Sequence, residues 1–340
     1  MGTFGWGFLG ASNIAREHMV RAVRANADQD VVAVASGDPA RAAAFAAEHG
    51  IPSACGSVAE LLANPAVDAV YISSTNDLHC AQVLAAAAAG KHVLCEKPLA
   101  LSVADAARMV EACRARGVVL ATNHHLRNNA GLRRMRDAVQ DGAVGRPLFA
   151  RVQQAIALRP MLQGWRVRAP EKGGGAILDL VTHGVDLLRF LLGTEPVEAC
   201  AMGQGGSVSQ GGLEDGVMVV LRLEDGALAQ IHAAYTVRHA PTAVEVYGTT
   251  GAIVARDVLT QRPAGEIWLR DEAGERPLPV KHEDLYVRAV ARFLAAIRGD
   301  GAPAATAEDG LRALAGALAV AESCRTGRTC KVQLGGRSEG

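Results

Sequence analysis

The sequence predicts a two-domain protein, in which an α/β domain on a parallel sheet precedes an α+β domain on a mostly antiparallel, open-faced sheet. The chain has 340 residues, more than one hydrophobic core usually holds. In its first third, short apolar runs alternate with Ala-rich helical segments, a rhythm typical of βαβ units. After about residue 146, alternating or β-branched runs separated by turn signals predict antiparallel hairpins. We therefore place the domains at residues 1–125 and 126–340.

The first domain is predicted as strands and helices in strict alternation. The strands are Gly5–Leu9, Val31–Ala35, Ala69–Ser73, His92–Cys95 and Val118–Thr122. The helices are Ile14–Ala25, Pro39–His49, Val58–Ala63, Cys80–Ala89 and Val103–Arg116. Such an alternation predicts a parallel sheet with helices on both faces.

The second domain is predicted to hold mainly strands, with a helix near its start and two helices at its end. The strands are Leu148–Leu158, Val217–Leu223, Ala227–Tyr235 and Ala243–Tyr247. The helices are Ala176–Leu192, Glu283–Ile297 and Ala307–Thr326. We expect the tail Gly335–Gly340 to fray.

The composition argues against several classes of protein. Hydrophobic residues make up 49% and charged residues 21%, as in a globular protein. Lys plus Arg and Asp plus Glu both number 35, and no dense basic run suggests a nucleic acid partner. No apolar run approaches the roughly 20 residues that span a bilayer. The seven cysteines include no C-x-x-C pair, so we expect free thiols and a cytoplasmic protein.

A glycine-containing turn between the first strand and first helix is a candidate phosphate-binding loop. It reads Gly10, Ala11, Ser12, Asn13, Ile14 and Ala15. A dinucleotide fingerprint has the form G-x-G-x-x-G/A, so Ser12 stands where the second glycine is usual. Backbone N–H groups at a helix start hold phosphate. The turn therefore predicts a Rossmann dinucleotide-binding domain, with Ser12 adding a hydroxyl donor.

The end of the second strand indicates which dinucleotide is bound. NAD enzymes usually carry Asp or Glu there, to bind the ribose 2′-hydroxyl. This chain has Ser36 in that place and Arg41 at the start of the next helix, a pair suited to a 2′-phosphate. Asp38 stands before a proline and is interpreted as the helix N-cap. We therefore expect NADP(H) as the cofactor.

Two further motifs carry a resemblance to a known family. Glu96-Lys97-Pro98 and the later run from Gly173 through Asp179 to His183 resemble the Gfo/Idh/MocA oxidoreductases, and the similarity extends over residues 5–325. The runs Thr122–Asn128 and Gln163–Arg166 resemble members that reduce keto-sugars. The resemblance implies NADPH-dependent reduction of 1,5-anhydro-D-fructose to 1,5-anhydro-D-mannitol.

The sequence also departs from the broad family pattern. Asn123 is commonly followed there by two arginines, whereas this chain has His124 and His125. The loop after the third strand reads Ser74-Thr75-Asn76, where Thr-Pro-Asn is frequent. The histidine pair makes it unsafe to transfer a substrate from the inositol-type members.

Three residues are predicted to carry the chemistry. Lys97 follows a buried strand at the edge of the sheet where ligands bind, and its ammonium can polarise a carbonyl. Asp179 and His183 are four residues apart on a predicted helix, so the carboxylate can orient the imidazole for proton transfer. A zinc site using Asp179, His183 and His124 or His125 is a lesser alternative, and we predict no metal.

The remaining candidate site residues divide into two sets. Besides the glycine turn, Ser36, Arg41 and Lys97, the cofactor set is Ser74, Asn76, His79, Glu96, Asn123, Trp165 and Arg166. Besides Asp179 and His183, the substrate set is His124, His125, Arg127, Gln163 and Trp165.

Other functions remain open at this point. The chain can also be an NAD(P)-dependent dehydrogenase of another sugar, polyol or dihydrodiol, or a dinucleotide-binding sensor without turnover. Lys97, Asp179 and His183 favour an enzyme, because a sensor needs no acid. The resemblance implies either a homo-oligomer paired through the open face of the C-terminal sheet or a monomer.

Overall fold

The computed structural model describes residues 3–334, which form two compact units. The first unit holds the described residues up to His125 together with Tyr286–Leu311, and the second holds Leu126–Leu285 together with residues 312–334. The tail Gly335–Gly340 lies outside the described residues. One unit has a parallel sheet and the other a mostly antiparallel sheet, so the predicted fold class is confirmed.

The first unit is built on a parallel six-stranded sheet. Its strands are β1 (Phe4–Leu9), β2 (Gln29–Ala35), β3 (Ser53–Cys55), β4 (Ala69–Ile72), β5 (His92–Cys95) and β6 (Leu120–Thr122). They lie in the order β3-β2-β1-β4-β5-β6, so the chain reverses direction across the sheet between β1 and β4. Ligands of such sheets bind at this point, beyond the carboxyl ends of the strands. The short strand β3 was not predicted, because three residues carry too little periodicity to recognise.

Local capping residues explain where several helices of this unit begin. The helices are α1 (Val20–Arg24), α2 (Pro39–His49), α3 (Val58–Ala63), α4 (His79–Ala88) and α5 (Val103–Ala115). Asp38, Ser57 and Ser102 accept backbone N–H bonds at the starts of α2, α3 and α5, which confirms the predicted N-cap at Asp38. A π-helical turn, Ala15–Met19, precedes α1 where one continuous α-helix was predicted.

The second unit is built on a nine-stranded sheet. Its strands are β7 (Pro147–Ala155), β8 (Pro196–Gln204), β9 (Gly216–Leu223), β10 (Leu228–Ala234), β11 (Ala243–Gly248), β12 (Gly251–Arg256), β13 (Glu266–Asp271), β14 (Gly274–Pro277) and β15 (Cys330–Lys331). The order is β14-β13-β12-β11-β7-β10-β9-β8-β15. All neighbouring strands are antiparallel except β7 and β10, which are parallel.

The two faces of this sheet differ in what covers them. Helix α6 (Ala130–Gln140) packs against β12 and β13, and α7 (Thr182–Leu192) packs against β7. A π-helical turn, Ile177–Val181, precedes α7 within the predicted helix Ala176–Leu192. From Val217 onward, buried and exposed residues alternate along strand β9, with Val219 1% exposed and Val220 49% exposed. One face therefore forms the core, whereas the other presents apolar side chains to solvent.

Part of the C-terminal region belongs to the first unit, although we expected an uninterrupted second domain. Helix α8 (Leu285–Arg298) is followed by α9 (Ala307–Thr326), and Tyr286–Leu311 groups with the Rossmann sheet. The ring of Tyr286 stacks on His18 and His125, and Phe293 packs on Trp6 with ring centroids 5.4 Å apart. This return depends on aromatic contacts between residues far apart in the chain, which local periodicity does not report.

No helix within residues 3–334 is long and apolar enough to cross a membrane.

Candidate functional site

Gly10 makes the turn after β1 in a conformation suited to glycine. Its φ is +113°, in the left-handed region. A Cβ placed there would lie 2.8 Å from the carbonyl carbon of Ser73 and from the nitrogen of Ser74. The close approach brings the loop after β1 against the loop after β4. These are the two strands between which the strand order reverses, so the glycine turn lies where a dinucleotide is expected.

Two serine hydroxyls brace the glycine turn. Ser12 Oγ accepts the N–H of Ala15 and donates to Ser73 Oγ at 2.8 Å. Ser73 Oγ donates in turn to the carbonyl oxygen of Gly10 at 3.2 Å. The Ser12 proton is therefore engaged within the protein, and the hydroxyl supports the loop rather than pointing a donor at a phosphate. Ala11, Asn13 and Ile14, which belong to the same turn, are partly buried.

Ser36 and Arg41 lie just beyond β2, as the sequence predicted. Ser36 follows the last residue of β2 and its Oγ accepts the N–H of Asp38 at 3.4 Å. Arg41 is exposed in the first turn of α2, and the Asp38 carboxylate accepts its backbone N–H. The same oxygen, Asp38 Oδ1, also accepts the N–H of Ala40, so it caps the start of α2. Thus the position usual for an acidic ribose ligand holds a hydroxyl, and the first turn of the next helix holds a cation.

Glu96 follows β5 and is held by two donors. Its Oε1 accepts hydrogen bonds from the Tyr71 hydroxyl and from Asn123 Nδ2, both at 2.7 Å. Burial raises the pKa of Glu96, while these two bonds and the neighbouring Lys97 oppose the rise. Tyr71 lies on β4 and Asn123 follows β6, so three neighbouring strands converge on one carboxylate. This network fixes the residue next to Lys97.

Lys97 and its proline are supported from α4. The Lys97–Pro98 peptide bond is cis. The carbonyl oxygen of Pro98 accepts a hydrogen bond from Nδ1 of the fully buried His79 at 2.9 Å. Burial lowers the pKa of His79, which favours the neutral ring with its proton on Nδ1. His79 thus supports the loop that carries Lys97. Two other predicted cofactor residues precede α4: Asn76 is buried, and Ser74 Oγ donates a hydrogen bond to Gln82.

Asp179 in the second unit receives a hydrogen bond that the sequence did not reveal. The hydroxyl of the buried Tyr235 lies 2.8 Å from Asp179 Oδ2 and 3.1 Å from the carbonyl oxygen of Gly175. Burial and the adjacent carboxylate raise the pKa of Tyr235 well above its ordinary value, so it remains a donor. Arg166 Nε lies 3.6 Å from the same Asp179 oxygen. Asp179 is therefore oriented from two sides.

Arg166 also connects Asp179 to Trp165. The Arg166 guanidinium lies over the Trp165 ring, 4.7 Å from its centroid. Gln163 Nε2 donates to the carbonyl oxygen of Leu158, which anchors the preceding turn. An aromatic face, a guanidinium and a carboxylate together suit the ring and hydroxyls of a sugar.

His183 lies on α7 with 6% of its surface exposed. Asp179 lies in the π-helical turn just before α7, rather than on one regular helix with His183. π-helical turns are rare and frequently occur at functional sites. The extra residue in that turn changes which side chains share a face, so the spacing rule for an α-helix does not by itself place Asp179 beside His183.

The residues following Asn123 are packed within their units. His124 is 1% exposed, and His125 stacks on Tyr286 with ring centroids 5.2 Å apart. The Arg127 guanidinium makes a buried, bidentate ion pair with Asp186, with donor–acceptor distances of 2.7–3.0 Å. This pair ties the turn before α6 to α7.

Three residues with clear roles in these networks escaped sequence analysis: Tyr71, Ser73 and Tyr235. Tyr71 and Ser73 stand at the carboxyl end of β4, so their position offered a signal. Tyr235 is 56 residues from Asp179, and no local pattern links the two. Among residues 3–334, no three His, Cys, Asp or Glu side chains form a cluster able to hold a metal ion.

The sheet order and the glycine turn are those of a dinucleotide-binding domain. Comparison with known proteins makes the class specific: residues 4–124 match the oxidoreductase family with an NAD-binding Rossmann fold, and residues 132–254 match the GFO/IDH/MocA C-terminal domain. The chain belongs to the Gfo/Idh/MocA oxidoreductase family, as predicted. It is therefore an enzyme with an NAD(P)-binding domain.

Several characterised proteins are similar along nearly the whole chain. The 1,5-anhydro-D-fructose reductase of Ensifer adhaerens is 50% identical over 97% of this chain and 99% of its own length. The myo-inositol 2-dehydrogenase of Thermotoga maritima is 32% identical over 81% of this chain and 82% of its own. The crystal structure of aldose-aldose oxidoreductase from Caulobacter crescentus superposes with a TM-score of 0.88 at 26% identity, covering 97% of this chain and 99% of that one.

Proposed function

We propose that this enzyme reduces a keto-sugar with NADPH, converting 1,5-anhydro-D-fructose to 1,5-anhydro-D-mannitol. The main support for this substrate is the 50% identity to a 1,5-anhydro-D-fructose reductase over 97% of the chain. The grouping of Trp165, Arg166 and Asp179 supports it, because an aromatic face beside charged hydrogen-bonding groups is suited to a sugar. The reaction consumes one hydride and one proton and yields a secondary alcohol.

The first unit fits a nicotinamide dinucleotide. Glycine at position 10 lets the loop after β1 lie against the loop after β4, because a side chain there would collide with Ser73 and Ser74. The turn precedes the first helical segment, whose first backbone N–H groups are suited to a pyrophosphate. Ser36 and Arg41 offer a hydroxyl and a cation to a 2′-phosphate, which favours NADPH. The residues of the cofactor set predicted from the sequence bind the cofactor along its length, from the adenine to the nicotinamide. Ser12 contributes indirectly, by supporting the glycine turn. When bound, the cofactor supplies the hydride.

Lys97 and His183 have different roles at the substrate oxygen. The Lys97 ammonium polarises the carbonyl and stabilises the negative charge that develops on its oxygen. His183 donates the proton that turns this oxygen into a hydroxyl. Asp179, held by Tyr235 and Arg166, orients the imidazole or a neighbouring substrate hydroxyl. His124, His125 and Gln163 shape the substrate pocket, and Arg127 acts through its ion pair with Asp186.

A dehydrogenase of another polyol is the second candidate. The 32% identity to a myo-inositol 2-dehydrogenase favours it, because the same acid–base pair run in reverse oxidises an alcohol. His124 and His125 replace the two arginines common in the family, and this change favours the keto-sugar.

We further propose that the exposed face of the nine-stranded sheet joins two copies of this chain. Phe149, Met218 and Val220 are each about half exposed on it. Phe149 and Val220 line one depression together with Tyr247 and an ion pair between Arg151 and Glu245. Contiguous apolar surface of this kind marks interaction sites.

The experiment that tests the reaction follows NADPH absorbance with a panel of sugars. We expect the highest kcat/KM with 1,5-anhydro-D-fructose, and NMR of the product to show the manno rather than the gluco epimer. Oxidation of myo-inositol without reduction of any keto-sugar would support the dehydrogenase instead. Absence of turnover with every combination of sugar and cofactor would support a dinucleotide-binding sensor.

The same assay tests the cofactor. We expect NADPH to bind more tightly than NADH, Ser36→Asp to reverse the preference, and Arg41→Ala to weaken NADPH binding by about 1.5–3 kcal/mol. Arg108→Ala, which removes another exposed arginine of the first unit, is the matched control. Equal or tighter NADH binding by the unaltered enzyme would contradict the preference.

A further inference from the structure

Glu214 caps the helical segment that carries Asp179 and His183, although it is distant in the chain. Its Oε1 accepts the N–H of Ile177 at 2.8 Å, and its main-chain oxygen accepts the N–H of Ala176 at 3.1 Å. The first N–H groups of a helix lack partners within the helix. Two of them are thus satisfied by one residue, 37 positions away from Ile177.

The glycines before this segment allow Glu214 to approach it. Gly175 has φ +100°, and a Cβ there would lie 2.3 Å from Glu214 Oε1. A Cβ at Gly174 would lie 2.9 Å from the carbonyl oxygens of Trp165 and Arg166. Gly175 N also donates to the Arg166 oxygen at 2.8 Å. The glycine run therefore lets one short turn contact both the Glu214 carboxylate and the Trp165–Arg166 backbone.

The residue after Glu214 supports Asp179 by a second route. The main-chain oxygen of Asp215 accepts the N–H of Tyr235 at 2.8 Å, and the Tyr235 hydroxyl lies 2.8 Å from Asp179 Oδ2. Asp215 is itself anchored, because its Oδ2 accepts N–H bonds from Ser207, Val208 and Ser209. Glu214 and Asp215 thus hold the helix start and the tyrosine that together fix Asp179.

We propose that Glu214 is a positioning residue for proton transfer, which sets the placement of Asp179 and His183 by clamping the first turn of their helical segment. The inference rests on the proposed function of those two residues. The bond to Ile177 needs an acceptor oxygen of the right reach rather than a charge. Burial and the nearby Asp215 raise the pKa of Glu214, while the Ile177 N–H opposes the rise. A glutamine oxygen in the same place can accept the same bond.

Steady-state kinetics of substitutions at Glu214 test the proposal. Glu214→Ala should lower kcat on the order of 10- to 100-fold, since small displacements of reacting groups cost that much. Glu214→Gln should stay within roughly 3-fold of the unaltered enzyme, because the acceptor is retained. The Kd of NADPH should be unchanged in both.

The matched control is Glu195→Ala at the other end of α7. Glu195 pairs with Arg189 in the last turn of that helix, at 2.7 Å. Its removal should lower the melting temperature as Glu214→Ala does, with kcat close to that of the unaltered enzyme. If Glu214→Ala lowers the melting temperature but keeps kcat, Glu214 is a helix cap and nothing more. If Glu214→Gln is as damaging as Glu214→Ala, the positioning bond is not what matters.

Hydrogen–deuterium exchange of the cofactor-free protein separates this inference from the proposed reaction. Exchange of residues 176–183 should rise in Glu214→Ala and stay unchanged in Glu214→Gln and Glu195→Ala. The exchange measurement tests whether Glu214 holds the first turn of the helical segment, even if the enzyme turns over no sugar. Should Glu214→Ala fail to fold, Glu214→Asp replaces it, because the shorter side chain keeps the charge and loses the reach. Unchanged exchange and unchanged kcat in that variant would overturn the proposal.

Discussion

At the scale of single residues, the carboxylates of Glu96 and Asp179 each accept a hydrogen bond from a tyrosine hydroxyl. Tyr71 donates to Glu96 at 2.7 Å, and Tyr235 lies 2.8 Å from Asp179. Burial, followed by the adjacent carboxylate, raises the pKa of both tyrosines well above the ordinary value. Both phenols therefore stay protonated over the working pH range and keep their carboxylates in fixed orientations. Neutral donors do this without cancelling the carboxylate charge.

The proton donor can be tested by two substitutions. His183→Ala should lower kcat by about 10²–10⁴-fold while leaving NADPH binding intact, because general acid help has that magnitude. Lys97→Met should cause a similar loss. The two losses should not add fully in the double variant, since both residues act on one transition state. The rate of reduction should fall on the alkaline side as the acid loses its proton.

Steady-state pH profiles of the three variants provide the check. A His183→Ala enzyme with nearly normal kcat and an unchanged alkaline limb would show that His183 is structural. Lys97 would then be the proton donor as well as the electrophile.

At the scale of elements, the loop between β8 and β9 is tied down by one carboxylate. Asp215 Oδ2 accepts three backbone N–H groups, of Ser207, Val208 and Ser209, and the Ser209 hydroxyl. Although burial alone raises the pKa of Asp215, these bonds together bring it below the ordinary value. The loop orders Glu214 and Asp215, so it belongs to the support of Asp179.

The depressed pKa of Asp215 has a defined effect on stability. A carboxyl whose pKa is lower in the folded state stabilises the fold above its unfolded pKa, and this contribution is lost as pH falls through the folded value. Asp215→Asn should therefore cost about 1–3 kcal/mol at pH 7, the difference between charged and neutral acceptors over these bonds. The gap to the unaltered protein should narrow below about pH 4.

Urea unfolding at several pH values measures this gap. Asp271→Asn removes an exposed carboxylate whose pKa is also lowered, by Arg276, and should change stability little because solvent screens that pair. A gap for Asp215→Asn that stays constant from pH 7 to pH 3 would exclude the proposed linkage.

At the scale of the whole molecule, the proposed pairing through the exposed sheet face predicts a dimer in solution. Phe149 is 55% exposed on that face, so Phe149→Glu should place a charge in the interface and yield monomers. Leu78→Glu, at a 43% exposed position of the first unit, should leave the dimer intact. Light scattering after size exclusion measures both. A monomeric unaltered enzyme at micromolar concentration would refute the pairing.

The sequence by itself determined those features that depend on residues close together in the chain. Alternating apolar runs predicted the parallel sheet, Asp38 before a proline predicted the start of α2, and Glu96-Lys97-Pro98 indicated the family. The apolar runs are informative because side-chain direction repeats every two or about 3.6 residues. The Asp38 cap is informative because its carboxylate accepts N–H groups only two and three residues ahead.

The tertiary structure alone decided how distant residues meet. Tyr235 contacts Asp179 across 56 residues and Glu214 contacts Ile177 across 37. Tyr286–Leu311 joins the first unit although the whole of Leu126–Leu285 intervenes. The first turn of the helix predicted at Ala176–Leu192 is π-helical rather than α-helical, which the sequence did not indicate. Such contacts form when packing and hydrogen bonding outweigh the entropy of closing long loops, a balance that belongs to the folded molecule and leaves no periodic trace in the sequence.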